Sequence, residues 1–183
     1  HYQKGGIVMY SLRDRFGEEA INTALRKFLL AYQYKADPYP TTLDLLRYLK
    51  AEIPSEGHAF VDDLFEKITV FDLKVKEVTA KKLADGKYQV DLLIDSTKYY
   101  ADGQGEESST ELNDSFDIGL FTEDPDKAGE KDVVIYMKKH SITSGENRLS
   151  IVIDQLPEYA GIDPYITMID RNAKDNLRKV TIE

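Results

Sequence analysis

Apolar positions along the chain change their period near residue 68. Up to about Lys67 they recur every three to four residues, the spacing of one helix face. Ile7, Val8, Leu12 and Phe16 mark a first helix, and Gly17 is placed to end it, because glycine takes the left-handed backbone of a helix stop. Glu18 and Glu19 open a second helix, where acids complement the N-terminal dipole. Its apolar stripe is Ala20, Ile21, Ala24, Leu25, Phe28 and Leu29. Ala36-Asp37-Pro38-Tyr39-Pro40 is a breaker. Thr41 followed by Asp44 predicts a variant capping box for a third helix with Leu43, Leu45, Leu46 and Leu49. Pro54-Ser55-Glu56-Gly57 separates it from a short fourth, with Phe60, Val61, Leu64 and Phe65 inward.

From Thr69 the period is two. Val70, Leu73, Val75 and Val78 predict a strand, Asp85-Gly86 a hairpin turn, and Tyr88, Val90, Leu92 and Ile94 the returning strand. Asp102 to Asn113 reads as a long exposed loop. Strands follow at Phe116–Leu120, Val133–Met137 and Leu149–Ile153, with a loop at Asp124–Lys131 and a turn at Ser144-Gly145. A further strand is expected around Tyr165 to Ile169. The expected class is α+β in two segregated parts. Residues 1–67 form an N-terminal helical bundle fragment; residues 68–183 form an antiparallel β-sandwich with a C-terminal tail.

Composition narrows the function classes. Apolar residues are 42% of 183, enough for a core, so the disordered class is excluded. A net charge of -9 repels phosphate backbones and anionic lipid, which argues against nucleic-acid binding and against a basic membrane anchor. With no cysteine there is no disulfide, thiolate metal site or cysteine nucleophile. No apolar run reaches the length of a membrane span. The chain opens His1-Tyr2-Gln3-Lys4, directly into a helical pattern, and reads as a soluble piece of a longer protein.

Candidate chemistry is sparse. His1, His58 and His140 are far apart in sequence and no H-E-x-x-H occurs, so no metal site is expected in this chain and each histidine reads as a surface or loop residue. Asp170 to Asn176 starts like a calcium loop, but Lys174 takes the third ligand position and no closing glutamate follows. That segment and Asp102 to Glu107 read as solvated acidic loops. The carboxylate pairs Asp62-Asp63 and Asp154 with Glu158 are what 33 acids produce by chance. Ser144-Gly145 lacks the nucleophile-elbow pattern.

One segment stands out: Tyr2-Gln3-Lys4-Gly5-Gly6-Ile7-Val8. It resembles the Y-x-K-G-(small)-x-(apolar) segment of M1 (gluzincin) zinc aminopeptidases. The resemblance extends through Phe28-Leu29-Leu30-Ala31-Tyr32-Gln33-Tyr34 and Thr41-Thr42-Leu43-Asp44-Leu45. The tail segments Ile162-Asp163-Pro164-Tyr165 and Ile169-Asp170-Arg171-Asn172 resemble bacterial forms fused to ABC-type permease segments. The resemblance implies a membrane-associated bacterial parent that hydrolyses peptides, with zinc and its H-E-x-x-H upstream of this chain. It implies that Tyr2 is catalytic, its phenol donating to the oxyanion that zinc also polarises. The implied partners are the upstream catalytic domain and, in the parent, the peptide substrate. Gly5 and Gly6 are expected to let the first helix pack close to a neighbour. Cut from that domain, the helices are expected to expose an apolar face and self-associate. The competing reading is a non-catalytic helical and β-sandwich interaction module.

Overall fold

Helices come first and strands follow, a mixed α+β chain whose two sheets are not closed into a barrel. A computed structural model describes the backbone of residues 2–129 and 133–183, and the side chains of residues 4–129 and 133–183. The chain divides into two compact units, His1–Thr69 and Val70–Glu183.

The first unit holds α1 (Tyr2–Phe16), α2 (Glu18–Tyr32), α3 (Thr42–Glu52) and α4 (His58–Phe65). Gly17 separates α1 from α2 with φ 88, a left-handed backbone that a side chain disfavours. The box at α3 forms as expected: Thr41 Oγ1 accepts from the Asp44 N–H, and the Asp44 carboxylate accepts from the Thr41 N–H at 2.9 Å. Asp44 also accepts from Tyr32 Oη at 2.9 Å, tying the end of α2 to the start of α3. The Thr41 N–H and then the Tyr32 hydroxyl hold the Asp44 carboxyl below its usual range. The core comprises Val8, Leu12, Ile21, Ala24, Leu46, Leu49, Ile53, Phe60, Val61 and Leu64. Two residues expected inside, Leu29 and Leu43, are exposed instead. Each lies toward the α2–α3 connection, where no other described element covers that face. Among the described residues, no helix is long and apolar enough to cross a membrane.

The strands are β1 (Ile68–Lys82), whose first two residues belong to the first unit, and, in the second unit, β2 (Tyr88–Ala101), β3 (Glu107–Thr110), β4 (Asn113–Phe121), β5 (Val134–Thr143), β6 (Gly145–Ile153), β7 (Tyr159–Ile162), β8 (Leu177–Lys179) and β9 (Thr181–Ile182). One sheet runs β3-β2-β1-β9, with β6 also paired to β2; the other runs β5-β4-β7-β8. Alternate residues Val90, Leu92 and Ile94 of the first sheet and Phe116, Ile118 and Leu120 of the second are buried. The rings of Phe71 and Phe116, one from each sheet, meet edge to face at 5.7 Å. In β1 the buried positions slip from Phe71, Leu73 and Val75 to Val78 and Ala80, so one extra residue is taken up between them.

Three features depart from expectation. β9 joins β1 in parallel at Thr79 and Ala80, so the sheets are not purely antiparallel. The polar stretch after Asp102 is not a plain loop. The Asp102 carboxylate accepts from the N–H groups of Gln104 (2.8 Å) and Glu106 (2.9 Å), which folds a tight turn and returns β3 onto β2. No strand forms at Tyr165–Ile169. The chain turns sharply there, with positive φ at Asp163 (44) and Ile166 (52), and the tail's strands lie on either side. Close approach also demands two glycines. Gly119 and Gly161 pair across β4 and β7. A Cβ at Gly119 would fall 2.5 Å from the Phe121 ring, and one at Gly161 would fall 2.8 Å from the Asn176 carbonyl.

Candidate functional site

Tyr2 is the first residue of α1, but its side chain and that of Gln3 lie outside the described residues, as does His1. Val8 and Leu12 turn inward and fix the helix, and Ser11 Oγ donates to the Ile7 carbonyl at 2.8 Å. Lys4, Gly5 and Gly6 are exposed. A Cβ at Gly5 or Gly6 would meet nothing within 4 Å. The close neighbour expected at these glycines is therefore not among the described residues of this chain. Each glycine in a helix interior is about 0.8–1.0 kcal/mol less favourable than alanine. Among the described residues, no packing offsets that.

Both glycines open onto grooves. A groove of about 520 Å³ lies beside Gly5, lined by Val8 and Met9 of α1, Leu45 of α3 and Leu64 and Phe65 of α4, with Lys4 and Thr42 as polar members. A second, of about 300 Å³, runs from Gly6, Met9, Tyr10 and Arg13 to Ile21, Asn22 and Leu25 of α2. Such surfaces suit packing against another apolar body better than catalysis. Neither contains a described acid, base or nucleophile set in hydrogen-bonded array.

The other candidates are structural. Among the described residues, no three of His, Cys, Asp and Glu are grouped to hold a metal. His1 lies outside the described residues; His58 and His140 lie in a helix and a strand and not in loops. His58 opens α4, and its Nε2 lies 2.9 Å from the Lys50 carbonyl and 3.1 Å from that of Ile53, closing the end of α3. His140 lies in β5, with Nε2 2.7 Å from Tyr136 Oη, and burial holds its imidazole below the usual range. The carboxylate pairs are ion-paired to lysines: Asp62 with Lys50, Asp63 with Lys67 at 3.1 Å, Asp154 with Lys87 at 3.5 Å, and Glu158 with Lys179 at 3.0 Å.

The tail segments act as a clasp. Phe71 N–H donates to the Ile169 carbonyl at 2.9 Å, and Arg171 N–H returns a bond to the Phe71 carbonyl at 2.8 Å. Asp170 accepts from Leu73 N–H at 3.1 Å and from Asn172 N–H at 2.7 Å. The Arg171 guanidinium covers the Tyr99 ring at 4.5 Å and pairs with Glu107 and Asp72. Sequence reasoning missed Asp163, which is 1% exposed. Its carboxyl accepts from Thr167 N–H (2.9 Å), Thr167 Oγ1 (2.6 Å) and Met168 N–H (2.9 Å). Burial outweighs those donors and pushes it up to about 6. The Asp163-Pro164 pair was the available signal, since aspartate before proline favours a turn closed by its own side chain.

Comparison of the chain with known protein-family models gives no match, and comparison with curated proteins gives none either.

Proposed function

We propose that this chain is the C-terminal portion of an M1-type zinc aminopeptidase, resembling bacterial forms fused to permease segments. In this reading residues 1–67 end the catalytic domain and residues 68–183 are a β-sandwich domain that follows it in the chain. The observation that supports it is the Tyr2-x-Lys4-Gly5-Gly6 opening of α1, whose glycines face no neighbour and flank apolar grooves. In the parent, the upstream catalytic domain covers those grooves, and Tyr2 donates to the oxyanion formed at the scissile carbonyl. Among the described residues, no three of His, Cys, Asp and Glu are grouped to hold zinc. Zinc, bound upstream, would supply Lewis acidity and an activated water. The isolated chain is then inactive and binds no zinc tightly. Reading the polypeptide upstream of His1 tests this: H-E-x-x-H followed by a further glutamate is expected. Its absence would overturn the enzyme and leave the non-catalytic interaction module.

Two expectations follow for the isolated chain. Gly5→Ala and Gly6→Ala each stabilise the helical unit by about 1 kcal/mol in chemical denaturation, because neither meets a steric obstacle there. In the parent the same methyl groups would intrude on the packed domain and lower activity. Stabilisation in both contexts would show that nothing packs on these glycines. The exposed Leu29, Leu30, Leu43 and Tyr34 also favour self-association. Light scattering should show apparent mass rising with concentration; a constant monomer mass counts against an apolar face made to be covered.

A further inference from the structure

An edge strand presents a row of unpaired N–H and C=O groups, and folded proteins blunt such edges with short strands, lysines, proline or slips in register. Most edges of the two sheets are blunted in this way. β3, β8 and β9 have four, three and two residues. β5 carries Lys138 and Lys139, and its pairing with β4 shifts between Leu120 and Phe121. β6 is different. It has nine residues with no proline or lysine, and it pairs with Tyr88–Ser96 of β2 without a shift. Among the described strands, only β2 pairs with it. Asn147, Leu149 and Ile151 lie opposite the buried Ile94, Leu92 and Val90, so Glu146, Arg148, Ser150 and Val152 stand on the outer face, all exposed. Lys76 holds Glu146 at 2.9 Å. Among the described residues Arg148 closes no hydrogen bond or ion pair, on a chain of charge -9.

We propose that β6 is a self-pairing edge, through which two copies of this chain join by antiparallel β6 strands centred on Asn147. Glu146 then lies opposite the partner's Arg148, and Arg148 opposite the partner's Glu146. One two-fold axis thus repeats the same ion pair and gives each Arg148 an acid. These side chains all stand on the outer face, so the continued sheet keeps the buried faces of both copies on one side. A centre at Leu149 would instead set Arg148 against Ser150 and Glu146 against Val152, and would pair no charges. The charge pattern therefore selects a second copy as the occupant of the edge and sets its register. This surface belongs to the strand-rich unit, is distinct from the exposed helical face, and is independent of the peptidase reading.

Sedimentation velocity on the full chain tests this. The wild type should dimerise with rising concentration. Arg148→Glu and Glu146→Arg should each weaken the dimer by about tenfold or more, because every cross-strand pair becomes like-charged. An equimolar mixture of the two variants should regain the wild-type association, since each supplies the charge that the other needs. A second test reads the register without relying on charge, in a chain that has no cysteine of its own. Opposite residues of an antiparallel pair have Cα atoms about 4.5–5.5 Å apart, within reach of a disulfide. Mild oxidation of mixed E146C and R148C chains should therefore cross-link them. Either variant alone should cross-link far less, because its cysteines sit on a diagonal of about 7–8 Å. A wild type that stays monomeric overturns the proposal. So does association unchanged in Arg148→Glu, which would place the contact on the helical face, and so does equal cross-linking in the mixture and in the separate variants.

Discussion

Asp163→Asn should destabilise the strand-rich unit most at low pH, and the difference from wild type should narrow as the pH rises. At pH 4 the folded-state carboxyl, with its pKa near 6, is protonated. A proton on Oδ1 can be given to Thr167 Oγ1, while Thr167 N–H and Met168 N–H keep their acceptors. An asparagine cannot match this. With its Oδ1 on Thr167, its Nδ2 faces the Met168 N–H, donor against donor, in a buried site. Leaving that N–H unpaired costs about 1–3 kcal/mol.

The pH term has a definite sign. The folded pKa lies above the unfolded value of 3.8, so the folded state binds the proton more tightly. The stability from this group is fully present below about pH 4 and is lost as the pH rises through 6. The loss is about 3 kcal/mol, from roughly 1.4 kcal/mol per unit. Asparagine does not titrate, so the gap between the two proteins should close by about that amount between pH 4 and pH 7. Urea denaturation at pH 4, 5, 6 and 7 measures it. A gap that holds constant or widens would mean that the three donors favour the carboxylate after all. Most shifted carboxylates here have the opposite sign. Asp102, held low first by the Gln104 N–H and then by that of Glu106, stabilises the fold only when ionised.

Elements with a clear period were legible in the sequence. Val90, Leu92 and Ile94 alternate because one face of β2 is buried, and all three are in the core. Gly17 and the Thr41–Asp44 pair announce a helix stop and a helix start, and both act as such. What was not legible is set by side-chain bonding or by long-range contact. β3 is Glu107-Ser108-Ser109-Thr110, all polar and mostly exposed, so its strand state comes from the Asp102 turn and carries no hydrophobic period. The tail is shaped by Asp163 and Asp170 accepting backbone N–H groups, and Asp170 reaches Leu73, 97 residues away. No local pattern encodes that bond. Leu29 and Leu43 matched a helical stripe yet stand exposed, because a stripe tells which face is apolar and not what covers it.

The candidate site was legible only as a motif. Tyr2-Gln3-Lys4-Gly5-Gly6 is plain in the sequence, and the structure adds that the glycines stand open beside apolar grooves. The proposed role of Tyr2 follows from transition-state chemistry. A phenol that donates to an oxyanion binds weakly to the ground-state carbonyl and strongly to the tetrahedral intermediate. Its loss therefore lowers kcat with little effect on KM. Removal of one such donor slows the reaction by about 10²–10³, equivalent to roughly 2.7–4 kcal/mol of transition-state stabilisation. Phenylalanine keeps the ring and removes only the hydroxyl, so the packing of α1 should be unaffected.

The most direct measurement is steady-state hydrolysis of an aminoacyl reporter substrate by the zinc-loaded parent, wild type against Tyr2→Phe. A kcat lowered by about 10²–10³ with KM nearly unchanged is the predicted result. An unchanged kcat would remove Tyr2 from the mechanism, and no hydrolysis by the wild-type parent would overturn the reading of this chain as part of a peptidase.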